Sequence, residues 1–281
     1  MEELAYIEGE FVPLSEAKVS VTDRGFVFAD GVYEVIAVYH GRAFRLEEHL
    51  VRLTASANAI HLLLPVDHSD LKNIIETGLE KSGFQEAQVY LQATRGAAPR
   101  SHAFPSEVKS NLVVTFRPLH PVSEEIRQQG VSVITTKEIR WNRCDIKSIA
   151  LLPNVLAKQK AIEEGAFEAI WMTPEGIVHE GAASNLFVVR DGEVRTPPKS
   201  EKILSGITRE VVLQCALELD LPVSETTLRI EEVLQAEEVF LTSTTMEVMG
   251  VVKMDGKTLG KGTVGPITRQ LNEALRKEIG R

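Results

Sequence analysis

Two prolines close together, in Arg117-Pro118-Leu119-His120-Pro121-Val122, interrupt the chain about two-fifths of the way along. Proline offers no backbone N–H and drives the residue before it away from helical angles, so neither a helix nor a central strand continues through such a stretch. A chain of 281 residues is long enough for one large or two ordinary domains. The break therefore predicts a small N-terminal domain over residues 1–118, a linker over 119–125 and a larger domain over 126–281.

The two sides of the break differ in pattern. Tyr6 to Pro13 reads as strand, turn at Gly9 and strand, and Val32 to Tyr39 is β-rich up to the turn His40-Gly41-Arg42. Leu46, Leu50, Leu53, Ala57 and Ile60 recur at helical spacing, as do Leu71, Ile74, Ile75 and Leu79 before Gly83, a C-cap. Val89 to Thr94 and Leu112 to Phe116 read as strands around a loop rich in Arg, His and Pro from Arg95 to Pro105. Beyond the break come a strand at Val131 to Thr135, a helix from Pro153 to Gly165, strands at Ala169 to Trp171 and Leu186 to Arg190, and a hairpin turn at Asp191-Gly192. A helix starts near Thr208 and a last one spans Pro266 to Ile279. Gly250 to Thr258 imitates a phosphate-binding P-loop, but five residues separate its glycines instead of four, and Asp255-Gly256 reads better as a hairpin turn.

Composition narrows the classes. With 43% apolar and 25% charged residues the chain reads as globular, and a net charge of −9 leaves no basic footprint for nucleic acid or an anionic membrane. No stretch approaches the roughly 20 apolar residues of a membrane span, and the acidic start Met1-Glu2-Glu3 lacks a signal core, so a cytoplasmic protein is expected. Cys144 and Cys215 are expected to be free thiols, and the seven His show no metal-ligand spacing, so no metal is expected.

Chemistry enters with two runs, Arg140-Trp141-Asn142-Arg143-Cys144-Asp145-Ile146-Lys147-Ser148 and Glu180-Gly181-Ala182-Ala183-Ser184-Asn185-Leu186. An amine that attacks a carbonyl must lose its proton near neutral pH, and Arg140 and Arg143 would favour that loss at Lys147 by like-charge repulsion. A Glu facing a pyridine ring keeps the ring nitrogen protonated and makes the ring an electron sink. Pyridoxal phosphate needs both groups. Taken singly, Lys147 is a solvated surface lysine and Glu180 a strand end before a turn.

Further runs occur in order: Asp30-Gly31-Val32-Tyr33-Glu34-Val35, Glu48-His49-Leu50-Val51-Arg52-Leu53, Thr94-Arg95-Gly96-Ala97-Ala98-Pro99-Arg100-Ser101-His102, Ser205-Gly206-Ile207-Thr208-Arg209 and Thr242-Ser243-Thr244-Thr245. With the Lys147 and Glu180 runs, they resemble the class IV aminotransferases of pyridoxal-phosphate fold type IV, and among these the D-amino-acid (D-alanine) aminotransferases, over nearly the whole chain. The resemblance implies an α/β fold of the α+β type in two domains, the larger with a pseudo-barrel, and pyridoxal 5'-phosphate at the domain interface. It implies Lys147 as the Schiff-base lysine and proton shuttle, Glu180 as partner of the pyridine nitrogen, and Arg52 as a phosphate ligand. Leu204, Gly206, Ile207 and Thr208, at a helix start suited to a phosphate, and Ser243 and Thr244 complete the cofactor set by the same resemblance. Without it, Arg52 is a helix-surface charge and the others are capping or turn residues.

Arg100 and His102 alternate along their loop, so both can point one way, and a guanidinium fork binds a carboxylate through two charge-assisted bonds. In the resembled enzymes such residues, with a tyrosine matching Tyr33, trap the substrate carboxylate from a partner subunit's loop. That implies a homodimer acting on D-amino acids and 2-oxo acids. One departure is Gly-Ala-Ala-Ser after Glu180, where Ala182 and Ala183 stand in place of serines and remove hydroxyl contacts. The implied reaction is a ping-pong transfer from D-alanine to 2-oxoglutarate. The alternatives are a branched-chain L-amino-acid aminotransferase, an aminodeoxychorismate lyase and a non-catalytic phosphate-ligand-binding module.

Overall fold

The computed structural model describes residues 1–281. It separates into two compact units, Met1–His120 with Ile146–Ala150, and Pro121–Asp145 with Leu151–Arg281. The short return of Ile146–Ala150 to the first unit lies outside the boundaries read from the prolines, because a five-residue crossing carries no compositional mark.

The first unit is a six-stranded sheet of β1 (Leu4–Ile7), β2 (Glu10–Pro13), β3 (Gly31–Tyr39), β4 (Arg42–Ala43), β5 (Ala87–Thr94) and β6 (Asn111–Pro118), in the order β2-β1-β6-β5-β3-β4. Every pairing is antiparallel, and β3 runs alongside β5 from Gly31↔Thr94 to Val38↔Ala87. Three helices accompany it: α1 (Arg24–Phe28), α2 (Leu46–Ala59) and α3 (His68–Ser82). The face of α2 carrying His49, Leu50, Leu53, Ser56 and Ala57 is buried, at the i, i+3, i+4 spacing that puts residues on one side of a helix. Asp67 caps α3 by accepting from Asp70 N at 2.9 Å, and Gly83, at φ +70°, closes it. Pro118 is tolerated as the last residue of β6, where the ladder ends.

The second unit holds a ten-stranded sheet built from β7 (Val131–Lys137), β8 (Glu168–Met172), β9 (Ile177–Gly181), β10 (Asn185–Arg190), β11 (Glu193–Thr196), β12 (Val223–Glu225), β13 (Leu228–Arg229), β14 (Glu238–Ser243), β15 (Glu247–Met254) and β16 (Lys257–Thr258). Its order is β12-β11-β10-β14-β15-β7-β8-β9-β13, with β16 hairpinned onto β15. The helices are α4 (Glu124–Gln129), α5 (Leu152–Glu163), α6 (Ile207–Glu218), α7 (Ile230–Leu234) and α8 (Pro266–Glu278). Phe187 and Phe240 face each other across β10 and β14 and stack at 4.8 Å. Ala157 and Ala161 let α5 pack closely with Ala169, Trp171 and Ala182. The turns at Asp191-Gly192 and Asp255-Gly256 both take positive φ at both residues, the geometry that two-residue hairpins require, so the P-loop imitation is a hairpin. Helix α4, capped by Ser123, starts inside the stretch read as linker. No helix is long and apolar enough to cross a membrane.

Candidate active site

In the first unit the site is organised around a buried acid that the sequence reading passed over. Val32, Glu34 and Ile36 share one face of β3, so Glu34 is carried into the core with its apolar neighbours. Three positions apart on α2, His49 and Arg52 meet it: Arg52 donates through Nε and Nη2 to Oε1 and Oε2 at 2.6 and 2.8 Å, and His49 Nδ1 lies 2.7 Å from Oε2. Burial alone would raise the Glu34 pKa, but the Arg52 charge and these bonds outweigh it and hold the carboxyl at about 2. Burial pushes His49 below its ordinary value. Neutral His49 with Nδ1–H donating to ionised Glu34 is therefore the consistent arrangement.

Lys147 belongs to this unit because residues 147–149 line the start of β3: Tyr33 N donates to Lys147 O at 3.0 Å and Ile149 N to Gly31 O at 3.1 Å. Its own N–H donates to Ser56 Oγ on α2 at 3.1 Å. The backbone is thus tied on both sides, and Nζ sits 4.3 Å from the centre of the Tyr33 ring. Lys147, Arg52 and Tyr33 are therefore brought together, with Glu34 feeling the Lys147 charge. Arg100 and His102 lie on the exposed loop after β5, gathered on the Phe28 ring at 5.1 and 5.4 Å.

The second unit presents Glu180 near the end of β9, buried. Arg140 Nη1 donates to its Oε1 at 2.5 Å, and Asn185 Nδ2 and Leu204 N donate to its Oε2 at 3.1 and 3.0 Å. Burial nevertheless wins and lifts the Glu180 pKa to about 7, helped by the charge of Glu138. Glu138 competes for the same guanidinium, accepting from Arg140 Nε and Nη2 at 3.0 and 2.8 Å, and is itself held at about 2. Arg140 and Arg143, expected as repulsive neighbours of Lys147, are ion-paired instead, the first with Glu138 and Glu180, the second with Asp145. Glu138 and Asp145 each lie two positions from their arginine, whereas Glu180, 40 positions from Arg140, is a partner that spacing along the chain could not reveal.

Asn185, missed as a site residue, links the second unit's parts. Besides Glu180, its Nδ2 donates to Leu204 O at 2.8 Å, and it pairs across β10 and β14 with Thr242, beside Ser243 and Thr244. A Cβ on Gly206 would collide with Asn185 Oδ1, so that close approach requires glycine. Gly206 is the N-cap of α6 and makes no side-chain cap bond, which leaves the N–H groups of Ile207 and Thr208 at an uncapped helix start. Ser243 Oγ accepts from Met246 N at 3.3 Å, and Thr242 Oγ1 is buried without a hydrogen-bond partner.

The family profile for amino-transferase class IV matches residues 31–254. The chain belongs to the class IV aminotransferases. This aminotransferase is 42% identical over 274 residues to D-alanine aminotransferase of Staphylococcus haemolyticus, covering 98% of this chain and 97% of that protein. Its fold matches branched-chain amino acid aminotransferase of Escherichia coli with a TM-score of 0.94 at 26% identity, over 99% of this chain and 94% of that one. A second branched-chain amino acid aminotransferase, solved with pyridoxamine 5'-phosphate, matches at 0.92 and 30% identity, with the same coverage. A third, from the thermophilic archaeon Thermoproteus uzoniensis, matches at 0.88 and 29% identity over 99% of this chain and 95% of that one. The fold is the two-domain α/β fold type IV, and the cofactor is pyridoxal phosphate. The residues present fit it: an uncapped helix start crowded by Asn185 suits a phosphate, the buried Thr242 hydroxyl lacks a partner, and buried Glu180 gains from facing a proton-bearing ring nitrogen.

Proposed function

We propose that this aminotransferase is a D-amino-acid transaminase, transferring the amino group of D-alanine and other D-amino acids to 2-oxoglutarate, with pyruvate and D-glutamate as products. The near-full-length 42% identity with D-alanine aminotransferase carries the reading, and it is supported by the Arg100 and His102 loop. Likeness to branched-chain enzymes does not favour their substrates, since the fold is common to the family.

Pyridoxal phosphate, when bound, supplies the electron sink for charge developing at the substrate Cα. Lys147 Nζ anchors it and moves the proton, as base and then as acid. Arg52, aimed by Glu34 and His49, would be the first unit's phosphate ligand, and the Ile207 and Thr208 N–H groups, Gly206 and the Ser243 and Thr244 hydroxyls would be the second unit's. The fork to Glu34 fixes the plane of the Arg52 guanidinium. Glu180 would keep the ring nitrogen's proton in place, and Leu204, a further cofactor residue, is fixed through both backbone atoms by Asn185 and Glu180. Arg100 and His102 grip the substrate carboxylate with Tyr33. We assign the working state to a homodimer that donates this loop across its interface, a reading supported by Leu152, Val155 and Leu156 exposed on α5 and Phe26 and Phe104 exposed in the first unit. Two free thiols suit the cytoplasm.

Two measurements test this. Borohydride reduction followed by peptide mass analysis should place the pyridoxyl adduct on Lys147, and an adduct elsewhere would refute the lysine assignment. Half-reactions followed by cofactor colour should run far faster with D-alanine than with L-leucine or L-valine; the reverse order would make this a branched-chain enzyme.

A further inference from the structure

Arg24 lies on α1, outside the residues so far given a role, yet it is almost fully buried and points its guanidinium at the backbone of the loop that carries Arg100 and His102. Nη1 donates to Ser101 O at 2.5 Å and to Ala103 O at 3.4 Å, and Nη2 to His102 O at 3.4 Å. Three successive carbonyls therefore turn toward one cation. Its Nε donates to Asp30 Oδ2 at 2.7 Å, and Asp30 also receives Arg95 through Nε and Nη2 at 2.8 and 2.9 Å. Arg95 in turn donates to the carbonyls of Ile60 and His61 at 2.8 Å each and covers the Phe104 ring at 3.7 Å. The segment before α1 runs beside the loop as well, with Arg24 N donating to Gly96 O and Ala98 N to Thr22 O.

Phe28, one turn along from Arg24, gathers the rest. Its ring has Arg24 at 4.9 Å, Arg100 at 5.1 Å and the His102 ring at 5.4 Å. Arg100 and His102 are exposed, and exposed long side chains otherwise sample many rotamers. A shared aromatic platform on an anchored backbone narrows that freedom before a substrate arrives, which lowers the ordering cost of binding.

We propose that Arg24, with Phe28 as platform, is the positioning residue that fixes the backbone of residues 101–103 and so aims Arg100 and His102 at the substrate carboxylate. The inference rests on the carboxylate reading of Arg100 and His102. Its ligand is the α-carboxylate of the amino acid, so its loss acts on substrate binding before chemistry.

The test compares Arg24→Lys, Phe28→Leu and Arg100→Ala in the loaded enzyme, by steady-state kinetics with D-alanine and by amide hydrogen exchange over residues 97–105. Lysine retains the charge opposite Asp30 but cannot fork across three carbonyls. Arg24→Lys should raise KM for D-alanine about 10-fold, leave kcat within about 3-fold and speed exchange of the loop about 10-fold, the scale of one lost charge-assisted hydrogen bond. Phe28→Leu, which keeps an apolar side chain without a ring face, should raise KM less and in the same direction. A fall in kcat and cofactor content together, with KM unmoved, would mean general destabilisation and would overturn the inference. If Arg100→Ala raises KM but Arg24→Lys moves neither KM nor loop exchange, the inference is likewise overturned and the carboxylate reading stands. If Arg100→Ala leaves KM unmoved, the carboxylate reading falls and takes the inference with it.

Discussion

Glu34 in the first unit and Glu180 in the second are the same residue type, both buried, and their carboxyls sit on opposite sides of the ordinary value: one held at about 2, the other lifted to about 7. Burial acts on both in the same direction, so the difference lies in how cations are shared. Glu34 has the whole Arg52 fork and the His49 ring. Glu180 has one arm of Arg140, whose other donors serve Glu138. A satisfied carboxylate orders its arginine. An undersupplied one favours a partner that brings a proton.

The largest effect should follow Glu34→Gln. Arg52 then loses its buried carboxylate partner, and breaking a buried ion pair costs about 3–5 kcal/mol. Thermal unfolding should show the loss, with cofactor affinity falling alongside. In the parent protein Glu34's contribution is complete above its ordinary pKa of 4.5 and disappears as pH falls toward 2. A variant that unfolds at the parent's temperature would mean that Arg52 does not depend on Glu34.

Glu180→Gln should change activity more than stability. A neutral amide cannot hold the ring nitrogen's proton, and loss of one positioned electrostatic partner typically lowers kcat about 10²–10³-fold. The linkage has the opposite sign to that of Glu34. Between pH 4.5 and about 7 the folded chain keeps a proton that an unfolded glutamate has lost, so Glu180 makes the cofactor-free protein less stable as pH rises through that window. The glutamine variant should therefore gain stability relative to the parent over those pH units, on the order of 3 kcal/mol in all. A constant difference across that range would refute the raised pKa.

These carboxylates also show what the sequence could reveal. Helices such as α2, α3 and α8 were legible because one face of each is buried and the period shows it, and β3, buried along most of its length, by its run of β-branched and aromatic residues. Strand β9, with His179 and Glu180 among its five residues, and α4, six residues long, carry too little apolar repetition to stand out. The runs holding Lys147, Glu180 and Arg52 were visible as ordered motifs. Glu34 lay inside a quoted run, and the signal it offered was a charge at the inward parity of an apolar strand. Asn185 and the pairing of Arg140 with Glu180 gave no local sign, because what they do depends on Leu204, Gly206 and Glu180, which the fold brings beside them.

The smallest effect is the most direct test of cation sharing. In Glu138→Gln the competing charge is gone while Arg140 retains other supports: Nη2 donates to Lys202 O at 3.1 Å, and the guanidinium lies 5.1 Å from the Trp171 ring. Glu180 is then the one carboxylate bonded to the guanidinium, and the like charge that raised the Glu180 pKa is removed, so both changes favour the ionised form. Glu180 should titrate lower by about one unit, or about 1.4 kcal/mol, moving toward the behaviour of Glu34. Carbon-13 NMR of labelled glutamate carboxyls in the cofactor-free protein would follow it, with Glu180→Gln fixing the assignment. If the Glu180 midpoint rises instead, Glu138 serves to hold Arg140 against Glu180, and the contrast between the two carboxylates arises from burial depth.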